Sequence, residues 1–523
     1  MALVIQDPCN EALIRAGRAA APCSRAAGRW ILAATILGSS MAFIDGSVAN
    51  LALPALQAEF NATIMDLQWV IEAYALFLAA LLLVGGALGD RFGRKLIYSI
   101  GIALFALASI GCGMAPSVQQ LIVARGVQGI GAALLVPGSL AIISASFAES
   151  DRGKAIGTWS GFSALTSALG PVIGGALIEH VSWRAVFFLN VPLAVIVLYL
   201  VYRHVPESSE GSNGRGLDGW GATLATLGLG ALVYGLIEAG SGGPMQPTVA
   251  SALLAGVVFL LLFFCVELRS QNPMLPLALF RSRNFSGANL LTLFLYAALS
   301  GGLFFFPLNL IQLQGYPATA AGAAMLPLVI IMFVLSRWSG GLLGRFGPRL
   351  PLIVGPLIAA AGFALFILPA VGGSYWKTFF PAIVVLGLGM AISVAPLTTT
   401  VMNAVDSSHA GVASGTNNAV ARTAGLLAIA VLGLVMTQTF TRTLDSRLAS
   451  MRISAEVRHM MDDQRMKLAG MEIPASAGAA AQTALKQAVD ESFITAFRRV
   501  MLISTLLALL SACCAWFMIR DKK

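Results

Sequence analysis

The chain has 523 residues, of which 57% are hydrophobic and only 11% charged, and its formal net charge is +9. Soluble domains typically carry about 25% charged residues, so a water-facing globular protein is excluded and lipid must cover most of the surface. The positive charge does not point to nucleic acid, because Lys and Arg are spread over short connecting segments rather than gathered on one face. Six cysteines and four histidines show no metal-ligand spacing, so no metal or cofactor is expected.

Residues 1–29 carry Asp7, Glu11, Arg15, Arg18, Arg25 and Arg29 without a signal-peptide pattern, and read as a cytosolic tail before an uncleaved first span. Apolar runs of about 20 residues, the length that crosses a bilayer, then recur along the chain. They lie at 30–53, 67–88, 96–115, 118–142, 155–178, 184–203, 219–239, 247–267, 286–312, 319–342, 350–371, 377–402, 409–437 and 494–518. The expected fold is therefore an all-α integral membrane protein with fourteen transmembrane helices. An even number puts both termini on one side. Placing them in the cytosol gives the inner segments 19 Lys or Arg, against Arg184 and Lys377 in the short outer loops, and this bias sets the orientation.

The sequence repeats itself. Residues 86–95 read GALGDRFGRK and residues 340–349 read GGLLGRFGPR, with five of ten positions alike. The first copy joins spans two and three and the second joins spans ten and eleven, equivalent places in two six-helix halves. The expected organisation is an N-terminal half at 30–203, an inserted helix pair with its linkers at 204–285, a C-terminal half at 286–518 and a short cytosolic tail at 519–523. Repeated halves with a site between them near the midplane are how alternating-access transporters are commonly built.

At this point the sequence resembles the major facilitator superfamily, and within it the fourteen-helix drug:proton antiporters. The resemblance rests on GALGDRFGRK between spans two and three, IDGSVANLALP at 44–54, LIVARGVQGIGAALLVP at 121–137 and GFSALTSALGPVIGG at 161–175. The segments WRAVFFLNVP at 183–192 and GVASGTNNAVARTAG at 411–425 add to it. The loop motif alone points only to the superfamily; the 161–175 motif with fourteen spans points to the antiporter branch. One departure is that Gly344 stands in the second loop copy where the first has Asp90.

The resemblance implies that Gly86, Asp90, Arg91, Gly93 and Arg94 form a cytosolic gate. Physically, the glycines permit a tight turn, and Asp90 can accept N–H bonds at the next helix start or pair with Arg94; a plain positively charged anchor is the alternative. Gly161, Gly170, Gly174 and Gly175 with Pro171 form a small-residue helix that packs closely against a neighbour, and in the family this helix limits leak between the halves. Asp45, Glu72 and Arg125 are intramembrane charges, each costing roughly 2.5–3.5 kcal/mol on insertion scales. At about 1.5 Å per residue they lie roughly 12, 8 and 10 Å from the outer ends of their spans, so the three share one level; they meet only if their helices adjoin, as the resemblance implies. Asp45 is then the first proton carrier, Arg125 its tuning partner and Glu72 a second carrier or a contact for a cationic substrate. Asn50 and Gln128 are candidates for the same polar path. Asn417 and Arg422 either face the cavity or bond neighbouring helices.

The stretch 438–493 is the only sizeable segment outside the spans besides the tail. It reads as a linker, a cover for the outer mouth or a docking point for a periplasmic partner. The expected activity is proton-coupled export of small amphipathic, cationic compounds through the cell membrane, with substrate, protons and lipids as partners; a dedicated exporter of one metabolite, siderophore or lipid is the alternative. No phosphate-binding loop or clustered His supports an enzyme.

Overall fold

The computed structural model describes residues 25–147, 149–208, 218–242, 246–270, 273, 275, 277–372, 374–405, 410–451 and 453–521. The expected N-terminal tail falls mostly outside them, and its last residues are helical. Among the described residues the chain is helical throughout, with no strand. Among the described residues, twelve helices are long and apolar enough to cross a membrane.

The first group of helices is α1 (Arg25–Phe60), α2 (Ile64–Phe92), α3 (Arg94–Gly113), α4 (Val118–Ser146), α5 (Glu149–His180), α6 (Trp183–Phe188) and α7 (Asn190–His204). A hairpin of α8 (Gly219–Gly242) and α9 (Pro247–Arg269) follows. The last group is α10 (Arg283–Leu308), α11 (Ala318–Ala323), α12 (Leu326–Gly340), α13 (Leu342–Phe346), α14 (Arg349–Leu365), α15 (Tyr375–Asn403), α16 (Ala410–Leu448), α17 (Ala455–Asp463) and α18 (Ala479–Met518). Every expected span coincides with one of these helices or with a broken pair. The spans expected at 155–178 and 350–371 fall on α5 and α14, which are not among the twelve. The 17 residues of α14 make it short for a span, and much of α5 lies outside the residues whose side chains are described.

Three expected spans are interrupted. The run at 184–203 divides at Leu189, the run at 286–312 ends in a π-helical turn over Asn309–Leu313, and the run at 319–342 breaks between Ala323 and Leu326. Two others overshoot the hydrocarbon: α16 reaches Leu448 and α18 starts at Ala479, so the expected loop at 438–493 is largely helical. Arg447 pairs with Glu491 across these two extensions.

Helix contact in the first group depends on missing side chains. A Cβ at Gly85 would lie 2.0 Å from the Ala133 carbonyl oxygen, and one at Gly129 would lie 2.4 Å from that of Tyr74, so α2 and α4 touch backbone to backbone. Gly131 does the same between α4 and α3, at 2.7 Å from the Phe105 nitrogen. Small residues that let backbones approach are the main device of membrane packing, where lipid removes any hydrophobic drive.

The two copies of the repeated loop share a further feature. At the first copy, Gly93 takes φ +113° and the Glu207 carboxylate accepts the N–H groups of Lys95 (3.0 Å) and Leu96 (3.2 Å) at the start of α3. At the second, Gly347 takes φ +68° and Asp521 accepts the N–H of Arg349 (3.2 Å) at the start of α14. A carboxylate just past α7 thus caps the start of α3, and one just past α18 caps the start of α14. The sequence reading gives Asp90 either this cap or a pairing with Arg94, and its side chain lies outside the described residues; Glu207 accepts from Lys95 and Leu96 at this helix start. Glu207→Gln removes the charge that faces this helix start, and the expected loss is about 0.5–2 kcal/mol, read as a lower midpoint in thermal unfolding of the detergent-solubilised protein.

Candidate functional site

The polar centre of the first group is assembled from four helices. On α4, Arg125 and Gln128 are one turn apart and face α1 and α3, while Gly129 and Gly131 turn to α2 and α3 and draw those helices close. Arg125 Nη1 donates to Asp45 Oδ2 of α1 at 2.5 Å, and both side chains are fully buried. Arg125 also donates from Nε to the Val70 carbonyl (3.0 Å) and from Nη1 to Gln128 Oε1 (2.6 Å). Gln128 Nε2 donates to Asp45 Oδ1 and to Ser109 Oγ of α3, both at 2.9 Å. Asn190, at the start of α7, donates to Asp45 Oδ1 (3.4 Å) and Ser109 Oγ (3.3 Å). The guanidinium lies over the Tyr74 ring, 4.4 Å from its centroid. Cys112 donates weakly to Gln128 Oε1 at 3.7 Å.

This arrangement neutralises two buried charges and satisfies most of their hydrogen-bonding capacity, the condition under which such a pair is tolerated. It also makes the pair sensitive to one proton. Protonated Asp45 would lose the ion pair with Arg125 and two of its acceptor interactions would weaken. The expected meeting of Asp45 and Arg125 is therefore present, and Gln128 joins them. Ser109 and Asn190 were not singled out in sequence; single Ser and Asn residues in apolar runs carry no signal without the fold.

The expected third member is elsewhere. Glu72 is fully buried, but neither carboxylate oxygen has a hydrogen-bond partner. One turn before it Gln68 donates to the Ile429 carbonyl of α16 (3.0 Å), and one turn after it Leu76 packs with Leu229, Val233, Ile237, Leu426 and Ala430. That face of α2 looks towards α8 and α16, away from Asp45. The expectation that all three charges meet is thus corrected. Asn50 also stands apart, with its side-chain carbonyl buried and unpartnered. Asn417 of α16 donates to Asn289 Oδ1 (3.1 Å) and Thr292 Oγ1 (2.7 Å) of α10, which bonds two helices of the last group.

The small-residue helix α5 touches both groups. A Cβ at Gly174 would meet Val48 of α1 at 2.0 Å, and one at Gly170 would meet Ser47 Oγ at 2.3 Å. A Cβ at Gly175 would lie 2.6 Å from the Ala318 carbonyl oxygen across the divide, and one at Gly322 of α11 would lie 2.1 Å from that of Pro171. The helix continues through Pro171 to His180. Gly161 also falls on α5; its surroundings lie outside the described residues. Gly86 meets only Pro137, at an ordinary 3.7 Å. Arg91 is exposed, and Arg94 begins α3 with its N–H on the Ser208 carbonyl (2.9 Å).

The end of the molecule at the Gly175 and Gly322 contacts, opposite the loop motif, carries a wedge. Glu179 accepts from Thr319 N (3.2 Å), and Gln312 donates to Gln57 Oε1 (2.6 Å). Gln57 donates in turn to the carbonyl of Lys467 (3.1 Å), in the 3-10 turn Arg465–Gly470 between α17 and α18. Leu468, Ala469 and Met471 of that segment are buried, and Leu468 takes φ +54°.

A helical membrane protein with a buried ion pair in one helix group and a glycine seam to the other has the build of a transporter. The Major Facilitator Superfamily family model matches residues 35–429, and the chain belongs to that superfamily. It is 34% identical to the multidrug resistance protein Stp of Mycobacterium tuberculosis over 436 residues, 82% of this chain and 80% of the relative. It is likewise 34% identical to the tetracenomycin C resistance and export protein of Streptomyces glaucescens, over 80% of this chain and 78% of the relative. Among solved structures, a bacterial homologue of the human lysosomal transporter Spinster, crystallised in an inward-facing and occupied conformation, superposes with a TM-score of 0.65. It shares 17% identity and covers 95% of this chain and 97% of its own. The protein is thus a multi-span membrane transporter and not an enzyme.

Proposed function

We infer that the protein is a proton-coupled antiporter of the cell membrane that exports small amphipathic compounds by alternating access. The observation that carries this reading is the buried Asp45–Arg125 pair with Gln128, Ser109 and Asn190 around it. A carboxylate whose partners are all inside one helix group can exchange a proton for a rearrangement of that group, which is the minimum a coupling site needs. The relatives named for multidrug and tetracenomycin C resistance support an export role.

In this reading α5 and α14 complete fourteen spans, arranged as two six-helix halves around the inserted α8–α9 pair. The excess of Lys and Arg places the termini in the cytosol. The seam of Gly175 and Gly322 and the wedge at 465–470 then close the outer side, and the stretch 438–493 covers the outer mouth instead of acting as a plain linker or a docking point. Gly86, Asp90, Arg91, Gly93 and Arg94 belong to the cytosolic gate, with Glu207 as its anchor. The preference for cations expected from the carboxylates loses its geometric support, since Asp45 is paired with Arg125 and Glu72 is packed on another face.

The test is transport by everted vesicles under an imposed proton gradient, with a panel of fluorescent amphipathic dyes of either charge. Accumulation of at least one dye that collapses with a protonophore is the expected result. No accumulation of any dye above vesicles lacking the protein would refute the antiporter reading.

A further inference from the structure

The seam between the two helix groups holds a second arginine, partly buried, and its surroundings differ from those of Arg125. Arg422 of α16 lies between two contacts with α10, the bonds of Asn417 to Asn289 and Thr292 and the close approach of Gly425 to Ser300, and it interacts electrostatically with Tyr296 of α10 and with Tyr74 of the first group. Tyr74 is the ring on which Arg125 stacks, so Arg422 sits one side chain beyond the Asp45–Arg125 pair. Among the described residues Arg422 makes no ion pair and no hydrogen bond, and its Nε is buried without an acceptor. Glu72 is not its hydrogen-bonding partner, since neither Glu72 oxygen has one.

The wall beside Arg422 is polar by construction. Asn289, Thr292 and Tyr296 recur at i, i+3 and i+7 on α10, so they form one helical stripe, and the Asn417 amide bonds the first two. An intramembrane cation is a costly element that is normally paired with protein groups. Arg125 is; Arg422 is not. A guanidinium also offers a planar fork of donors matched to a carboxylate, which an ammonium lacks.

We propose that Arg422, flanked by Tyr74 and Tyr296, anchors an acidic group of the transported compound, making the substrate class amphipathic aromatic or aliphatic acids. The inference rests on the exporter reading above and narrows it. Export of such an acid requires no cationic preference from the site, and the acid would supply the anion that the protein withholds from Arg422.

The experiment uses the full chain in nanodiscs and in everted vesicles, with a carboxylate-bearing xanthene dye and its methyl ester as matched probes. Charge-assisted hydrogen bonds of this kind correspond to roughly ten- to hundredfold in affinity. Wild type is expected to bind the acid at least about tenfold tighter than the ester. Arg422→Gln is expected to abolish the difference by weakening the acid alone, with Arg422→Lys in between because it keeps the charge and loses the fork. If Arg422→Gln does not fold, Arg422→Lys and the wild-type preference still decide the matter. Equal binding of acid and ester by wild type, binding of neither, or an equal loss of both in the variants would overturn the proposal. A preserved acid preference without gradient-driven flux of any dye would refute the exporter reading and leave the acid site standing.

Discussion

Asp45→Asn abolishes proton-driven transport and also destabilises the protein, and the two effects separate in a double variant. Asparagine keeps the shape of the side chain and one neutral acceptor but removes its charge, which leaves the Arg125 guanidinium buried without an anionic partner. Breaking a buried pair from one side typically costs about 3–5 kcal/mol, whereas removing both charges together is often neutral. The double variant Asp45→Asn/Arg125→Gln is therefore expected to regain most of the thermal stability and none of the gradient-driven transport. Thermal unfolding and everted-vesicle flux, measured side by side at equal protein level, read the two quantities. Transport by the double variant at the wild-type rate would remove Asp45 from the coupling role. Recovery of neither stability nor transport would show that Arg125 is needed for folding in its own right.

Gly322→Val is expected to force open the face that the wedge covers. A Cβ there would lie 2.1 Å from the Pro171 carbonyl oxygen, and the obstacle is backbone that cannot rotate away. Overpacking of this kind typically costs about 1–3 kcal/mol, enough to shift a two-state equilibrium roughly ten- to hundredfold. Separating α11 from α5 should also strain the neighbouring Thr319–Glu179 and Gln312–Gln57 contacts. The check is labelling of a cysteine at position 312, on a background with the native cysteines replaced, by a membrane-impermeant maleimide. Labelling is expected to rise at least about tenfold in the variant and export to fall in proportion. The control is Gly46→Ala, since nothing lies within 4 Å of a Cβ at that position. Unchanged labelling in Gly322→Val would mean that the glycine seam does not hold this face closed.

How much of this was legible in the sequence follows from which signals are local. Apolar runs locate every membrane-length helix because the bilayer fixes their length, whereas the short α17 falls in none of them. The extensions of α16 to Leu448 and of α18 from Ala479 were hidden, because outside the hydrocarbon a helix need not be apolar, and what steadies these two is pairing with each other, as at Arg447 and Glu491. The break at Leu189 and the π-helical turn at Asn309 are backbone adjustments that no composition reports. At the site, Asp45 and Arg125 could be found because charge is scarce inside a membrane. Glu72 was misplaced because depth was considered without azimuth. Two residues along an α-helix amount to about 200° of rotation, so when Tyr74 faces Arg125, Glu72 faces the opposite way. Gln128 could be placed one turn from Arg125, whereas Ser109 and Asn190 required the fold.

The paired caps at Glu207 and Asp521 bear on how this chain can be cut and joined. Each carboxylate lies three residues past the end of its group's last helix, His204 or Met518, and reaches back to α3 or α14 of the same group. One is glutamate and the other aspartate, so a letter-by-letter alignment scores the two stations poorly although the same free amides are served. Each helix group is therefore a module whose natural boundary lies beyond its last membrane helix. A split-protein or chimaeric exchange that stops at 204 or 518 would leave its module with an open helix end. A purification tag is best joined after Asp521.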